Sequence, residues 1–124
     1  MVFLTEQEFA GLVADAVASL PSEILQRMDN VAVTVADWPS PDELQRSRVG
    51  PAGQLFGLYE GVPLTRRGRH YNLVAPDRIV IFRGPLQSVF RTPEALHEQI
   101  RRTVVHEIAH HFGIGEARIR ELGY

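Results

Sequence analysis

The chain has 124 residues, a formal net charge of −2 and no cysteine. This length suits a single domain with one modest core, and the charge balance gives no basic surface that would follow a phosphate backbone. The absence of cysteine excludes disulfide bonds. The charge balance disfavours nucleic acid as a partner. No segment has the pattern of a signal peptide or of a membrane span, so we expect a cytoplasmic protein with no membrane partner.

Helical patterns occupy the first part of the chain. Thr5 and Glu8 form a capping-box pattern, and the apolar spacing after them predicts a first helix from about Glu6 to Leu20. Pro21 is expected to open a short second helix that continues through Met28.

Three short segments in the middle of the chain predict a small sheet. Valine alternates with smaller residues from Val31 to Ala36. This alternation predicts a strand with one buried face, and the valines on that face are expected in the core. Leu55 to Tyr59 is the second predicted strand, and the apolar run within Arg78 to Arg83 is the third. Gly84-Pro85 should end that third strand, and Trp38 is expected to anchor the core.

Two connecting segments predict loops. The segment from Pro39 to Gly53 holds three prolines and two glycines, with room for one helical turn at Asp42 to Arg46. The segment from Thr65 to Tyr71 is polar, contains three arginines and is expected to be exposed.

The C-terminal part of the chain predicts a long helix from about Pro93 to Phe112 and a short one from about Glu116 to Leu122. Thr92 is a suitable N-cap before Pro93, and Gly113 can take the left-handed conformation that ends helices. One apolar stripe of the long helix recurs every four residues. It consists of Leu96, Ile100, Val104 and Ile108.

The long helix carries the sequence His106-Glu107-Ile108-Ala109-His110. His106 and His110 are four residues apart, so they project from one face of the helix and can hold a single metal ion. Glu107 lies where it can activate a water on that metal. Ile108 is about 200° around the helix from His106, so the histidines can face a cleft while the apolar stripe faces the core.

A catalytic zinc site usually has three protein ligands, so a third ligand is needed. The metzincin pattern H-E-x-x-H-x-x-G-x-x-H places that ligand six residues after the second histidine. Gly113 falls on the glycine position and Glu116 falls on the ligand position. A bend at the glycine would bring the Glu116 carboxylate back to the metal. Glu121 is the alternative ligand, and Glu116 could instead be an acidic residue that favours a helix N-terminus.

Beyond this motif, the chain resembles the short bacterial zincin-like metallopeptidases, also called minimal zincins. The similar segments are Phe3–Phe9, Met28–Val31, Leu58–Leu64, Pro76–Pro85 and Thr103–Gly123. The resemblance implies an α+β, zincin-like fold in which a small mixed sheet packs against an N-terminal helix and a C-terminal metal-binding helix. It also implies one Zn²⁺ per chain, with the ligands His106, His110 and Glu116 and with Glu107 as the base. The strand at Arg78 to Arg83 would then lie close to the rim of the cleft.

The sequence thus predicts a zinc-dependent metallopeptidase that cleaves peptide or protein substrates through a metal-activated water, with Glu107 as general base. No methionine follows Met28, so the Met-turn of metzincins is missing. That difference motivates a second hypothesis, a non-catalytic zinc-binding domain that binds peptides or a partner protein. A hydrolase of some other amide would use the same residues. Candidates for stabilising the oxyanion, by residue type alone, are Tyr59, His70, Tyr71 and Tyr124.

Overall fold

The computed structural model describes residues 4–47, 54–61 and 76–124. The elements in chain order are α1 (Glu6–Ala18), α2 (Ser22–Arg27), β1 (Val31–Ala36), α3 (Pro41–Ser47), β2 (Gly57–Glu60), β3 (Asp77–Phe82), α4 (Arg83–Val89), α5 (Pro93–Phe112) and α6 (Glu116–Glu121). The fold is α+β, as predicted. The predicted loop at 65–71, with His70 and Tyr71, lies outside the described residues. None of the helices in the described residues combines the length and the apolar composition of a membrane span.

The helix α1 begins and packs as its sequence predicts. The Thr5 hydroxyl accepts a hydrogen bond from the Glu8 amide, and the Glu8 carboxylate accepts one from the Thr5 amide, each at 3.0 Å. This capping box satisfies two amides that the first helical turn leaves without partners. The buried side of α1, which includes Phe9 and Val13, packs against α5. The two longest helices therefore lie side by side.

The described residues form a sheet of three strands in the order β1-β3-β2. β1 and β3 are parallel, with Val31 opposite Asp77, and β2 and β3 are antiparallel, with Tyr59 opposite Ile79. The sheet is therefore mixed, as predicted, with β3 at its centre. The Arg78–Arg83 strand, which is expected to lie close to the rim of the cleft, is separated from that edge by β2. The strand beside α5 at that edge is β2.

The central strand β3 separates two apolar clusters. Ile79 and Ile81 face the helices and belong to the main core with α1 and α5, while Val80 and Phe82 pack on the other face with Leu55. The side chains from Ile79 to Phe82 are all nearly or fully buried. A strand covered on both faces has a continuous apolar sequence rather than an alternating one, which explains the run from Ile79 to Phe82.

Of the four residues expected in the core on β1 and at Trp38, two pack partly buried against it and two are exposed. Val31 and Val33 are only partly buried and Val35 is 38% exposed, since β1 is the other outer strand of the described sheet and α1 packs on α5 rather than over it. Trp38 is 63% exposed. Its ring covers Gly84, where a side chain would collide with it, instead of entering the core.

The sequence patterns did not predict α4, and they predicted α3 too short. The helix α4 starts at Arg83, directly after β3, although Gly84-Pro85 was expected only to end the strand. Proline is tolerated in the first turn of a helix, where its missing amide has no intrahelical acceptor. The helix α3 is longer than the single predicted turn and opens with a second capping box, in which Ser40 and Glu43 bond each other's amides.

Candidate metal centre

The helix α5 has the predicted bounds, Pro93–Phe112, and the predicted ends. The Thr92 hydroxyl accepts a hydrogen bond from the Ala95 amide at 3.1 Å. Gly113 has φ 71°, and its amide donates to the Ala109 carbonyl, which closes the last turn. The four residues of the apolar stripe are completely buried, and each such side chain contributes roughly 1.5–3 kcal/mol to stability. This burial fixes how α5 is rotated about its axis.

That rotation places His106 and His110 away from the core. The His106 side chain is half-buried and His110 is exposed, and their ring centroids are 6.5 Å apart. The pair thus lies on one face of α5, one turn apart, as the motif predicts. Two imidazoles in this relation are suitable donors for zinc.

Glu107 is held by the edge of the sheet. Its Oε1 accepts a hydrogen bond of 2.8 Å from the backbone amide of Tyr59 on β2. The Phe56 carbonyl bonds to β3, and backbone groups alternate along an antiparallel strand, so the amides of Gly57 and Tyr59 point away from β3 toward α5. The register of β2 therefore supplies the donor that orients Glu107.

The surroundings of Glu107 also change its acidity. Burial raises the pKa of the Glu107 carboxyl above its usual value, and the Tyr59 amide, His110 and His106 oppose this rise without cancelling it. A carboxyl with a raised pKa is a stronger base when ionised, which suits a residue that has to accept a proton.

A cleft runs between β2 and α5 on both sides of Glu107. One cavity of about 270 Å³ lies toward Thr103 and His106, and another of about 750 Å³ lies toward Tyr59 and His110. Gly57 lines both cavities. A Cβ on Gly57 would lie 2.7 Å from the Thr103 side chain, so glycine is what allows β2 to approach α5 this closely. The sequence reading missed this residue, although an isolated glycine inside a strand pattern is a signal of close backbone approach.

Tyr59 lies in the cleft and contacts both the start of β3 and His111 on α5. Its hydroxyl donates a hydrogen bond of 2.7 Å to Asp77, and its ring stacks on His111 with the centroids 3.9 Å apart. The Tyr59 hydroxyl is thus directed at a carboxylate. Of the remaining oxyanion candidates, Tyr124 contacts Arg101, with its ring centroid 5.2 Å from the guanidinium carbon.

The candidate third ligand lies on α6. Glu116 is the first residue of α6 and is exposed, and Glu121 bonds Arg118 at 2.7 Å. Among residues 4–47, 54–61 and 76–124, no three His, Asp or Glu side chains lie close enough together to hold one metal ion. The structure therefore places His106 and His110 one turn apart with Glu107 beside them on α5, and it does not assemble Glu116 with the two histidines. The donors present fit zinc through the two imidazoles, and no third donor is assembled with them among the described residues.

Fold and site together define a small α+β protein with a candidate metal site on its longest helix. The sequence profile of the zincin-like metallopeptidase family matches residues 28–124, and the chain belongs to that family. A conserved hypothetical protein from T. thermophilus has a similar structure, with a TM-score of 0.54 and 18% sequence identity over 88% of this chain and 94% of that chain. At this identity the similarity shows a shared fold. No curated protein matches the sequence significantly.

Proposed function

We propose that the protein is a zinc-dependent peptidase in which His106, His110 and Glu116 bind the metal and Glu107 is the general base. The observation that carries the proposal is the position of Glu107 between two histidines and against the edge of β2. A structural carboxylate on an exposed helix face would more often pair with an arginine. The Glu107 carboxylate instead lines the cleft beside the imidazoles.

The chemistry needs a Lewis acid and a base on the same side of the substrate. Zinc, when bound, supplies the Lewis acid that polarises the scissile carbonyl and acidifies the attacking water. Glu107 takes the proton from that water and passes it to the leaving amine. The Tyr59 amide holds one carboxylate oxygen of Glu107 and leaves the other to carry the proton.

The substrate we propose is an extended peptide. Gly57 directs its backbone N–H and C=O away from β3 and toward the cleft. An extended segment could therefore pair with β2 as an added strand and pass over the histidines.

The test is hydrolysis of a peptide library by the zinc-loaded protein, with and without a chelator. We expect cleavage that the chelator abolishes and that added zinc restores. Cleavage that persists in the chelated protein would exclude zinc-dependent hydrolysis.

A non-catalytic domain that binds peptides is the second candidate. It is favoured by one observation, that Glu116 is not assembled with the two histidines in the described part of the chain. This alternative predicts that library peptides bind to the zinc-loaded protein and are recovered intact. The same library experiment therefore separates the two proposals.

Glu116→Ala tests the third ligand. We expect zinc affinity to fall by at least about tenfold, since loss of even an outer partner of a zinc ligand costs roughly 10–100-fold. Glu121→Ala is the matched control in the same helix, and it should leave the affinity unchanged because Glu121 pairs with Arg118. A competition titration with a zinc chelator measures both. Equal affinities for Glu116→Ala and the parent would assign the third ligand to another residue.

A further inference from the structure

The outer edge of β1, on the opposite side of the sheet from the candidate metal site, is uncharged, and its side chains are half-buried or exposed. Its sequence is Val-Ala-Val-Thr-Val-Ala, from Val31 to Ala36. In the described part of the chain, β1 has β3 as its one neighbour in the sheet. Strand edges that remain single are usually protected by a charge, a proline, a bulge or a covering segment. The sequence of β1 contains neither a charge nor a proline, so its edge is suited to pairing.

The backbone groups on this edge follow from the pairing with β3. The Asn30 carbonyl accepts from the Asp77 amide, so Asn30 and every second residue after it face β3. Val31, Val33 and Val35 therefore direct their N–H and C=O groups to the open side. The Val31 amide donates to the Met28 carbonyl at 3.1 Å, which removes one donor from this set.

An apolar groove borders the same edge. It has a volume of about 660 Å³ and lies between β1 and the helices α1 and α2. Every residue that lines it is Ala, Val, Leu or Met, including the exposed Ala14 and Leu25 and the valines of β1. Open backbone groups and an uncharged apolar groove thus occur together at one side of the molecule.

We propose that β1 pairs with β1 of a second copy of this chain, antiparallel and about a twofold axis at Val33. In this register Val33 lies opposite its own counterpart, and Val31 lies opposite Val35 of the second copy. All three are residues whose backbone groups point outward, and their side chains lie on the same face, beside the groove. The Val33 and Val35 amides can therefore donate to the Val33 and Val31 carbonyls of the second copy, and the valine side chains pack together on one face.

A second copy of the chain suits the edge of β1 and its apolar groove better than a charged peptide does. The groove offers no charged or polar side chain that would select a foreign ligand, whereas an identical strand brings three valines into the apolar space. The dimer would have one continuous sheet of six strands in the order β2-β3-β1-β1-β3-β2. The two β2 edges and both clefts remain at the outer ends, so dimerisation and metal binding can be tested separately.

The register predicts a specific cross-link. The chain has no cysteine, so Val33→Cys introduces one thiol at the proposed twofold axis. Hydrogen-bonded antiparallel pairs have Cα atoms about 5.5 Å apart, which lies within the usual disulfide range. Under mild oxidation we expect Val33→Cys to form a reducible dimer. Thr34→Cys, its matched control, should stay unlinked, because Thr34 lies opposite Ala32 of the second copy.

Sedimentation equilibrium of the parent protein provides the independent measurement, with an expected mass of twice the chain mass. Val35→Lys places a charge in the interface and should return the mass to that of one chain, whereas Gln26→Lys adds the same charge on an exposed part of α2 that does not line the groove. A monomeric parent would overturn the proposal. So would a dimer that Val35→Lys leaves intact, or equal cross-linking of the two cysteine variants.

Discussion

Glu107→Gln is expected to keep zinc bound and to lower kcat for peptide cleavage by roughly 10²–10⁴-fold, the usual contribution of a positioned general base. Glutamine has the same shape, and its side-chain oxygen can still accept the hydrogen bond from the Tyr59 amide. It cannot take a proton from water. The measurement is the cleavage rate of a library-selected peptide, together with the zinc content of the purified variant.

Stability provides a check that the Glu107→Gln variant is folded. Because burial raises the pKa of Glu107 above 4.5, the group favours the folded state most below that pH and loses this contribution as the pH rises through the raised pKa. At neutral pH the metal-free variant should therefore melt no lower than the metal-free parent. Glu98→Gln is the matched control on α5, where the carboxylate pairs with arginines at the surface, and it should retain full activity. Undiminished cleavage by Glu107→Gln would remove this residue from the mechanism.

His106→Ala and His110→Ala should each lower zinc affinity by at least about 100-fold, since removal of even an outer partner of a zinc ligand costs roughly 10–100-fold. The cause is direct: each variant removes one of the two imidazoles that share a face of α5. Neither side chain belongs to the buried stripe, so the fold should be preserved. Competition titration and elemental analysis of the purified variants measure the effect.

His97→Ala is the control for this pair, because His97 lies on α5 and lines neither cavity at the candidate site. It should bind zinc as the parent does. If the parent and the two motif variants show the same weak affinity, the histidines are surface residues and the candidate metal centre has no metal. Parent-like affinity in only one of the two variants would instead assign that histidine another role.

Local sequence patterns predict most of the helices and the helix face on which the two histidines lie. The Thr5–Glu8 capping box, the N-cap at Thr92 and the left-handed glycine at Gly113 are short-range signals, and each has the predicted geometry in the structure. The same holds for the four-residue apolar period of α5. Because both the stripe and the histidine spacing are properties of one helix, the sequence was sufficient to place His106 and His110 on the face opposite the core.

The strand order of the sheet depends on contacts between distant segments, which no local sequence pattern predicts. Strand order placed β3 at the centre and left β1 and β2 outside, so the β1 valines are more exposed than their alternation suggested. The partner of Glu107, the Tyr59 amide, is 48 residues away in the chain, and it is available only because β2 has its particular register with β3. Trp38 is exposed because Gly84 gives its ring a surface site.

The amino-acid sequence by itself determined the spacing of the two histidines and both ends of α5, since these depend on patterns within one element, and the order of such patterns indicated the α+β class. Only the tertiary structure decided which strand borders the cleft, what orients Glu107 and where Glu116 lies relative to the histidines. The physical reason is that strand order and the packing of β2 against α5 depend on how distant segments share one core. A short-range pattern constrains the conformation of its own segment and does not specify which other segments pack beside it.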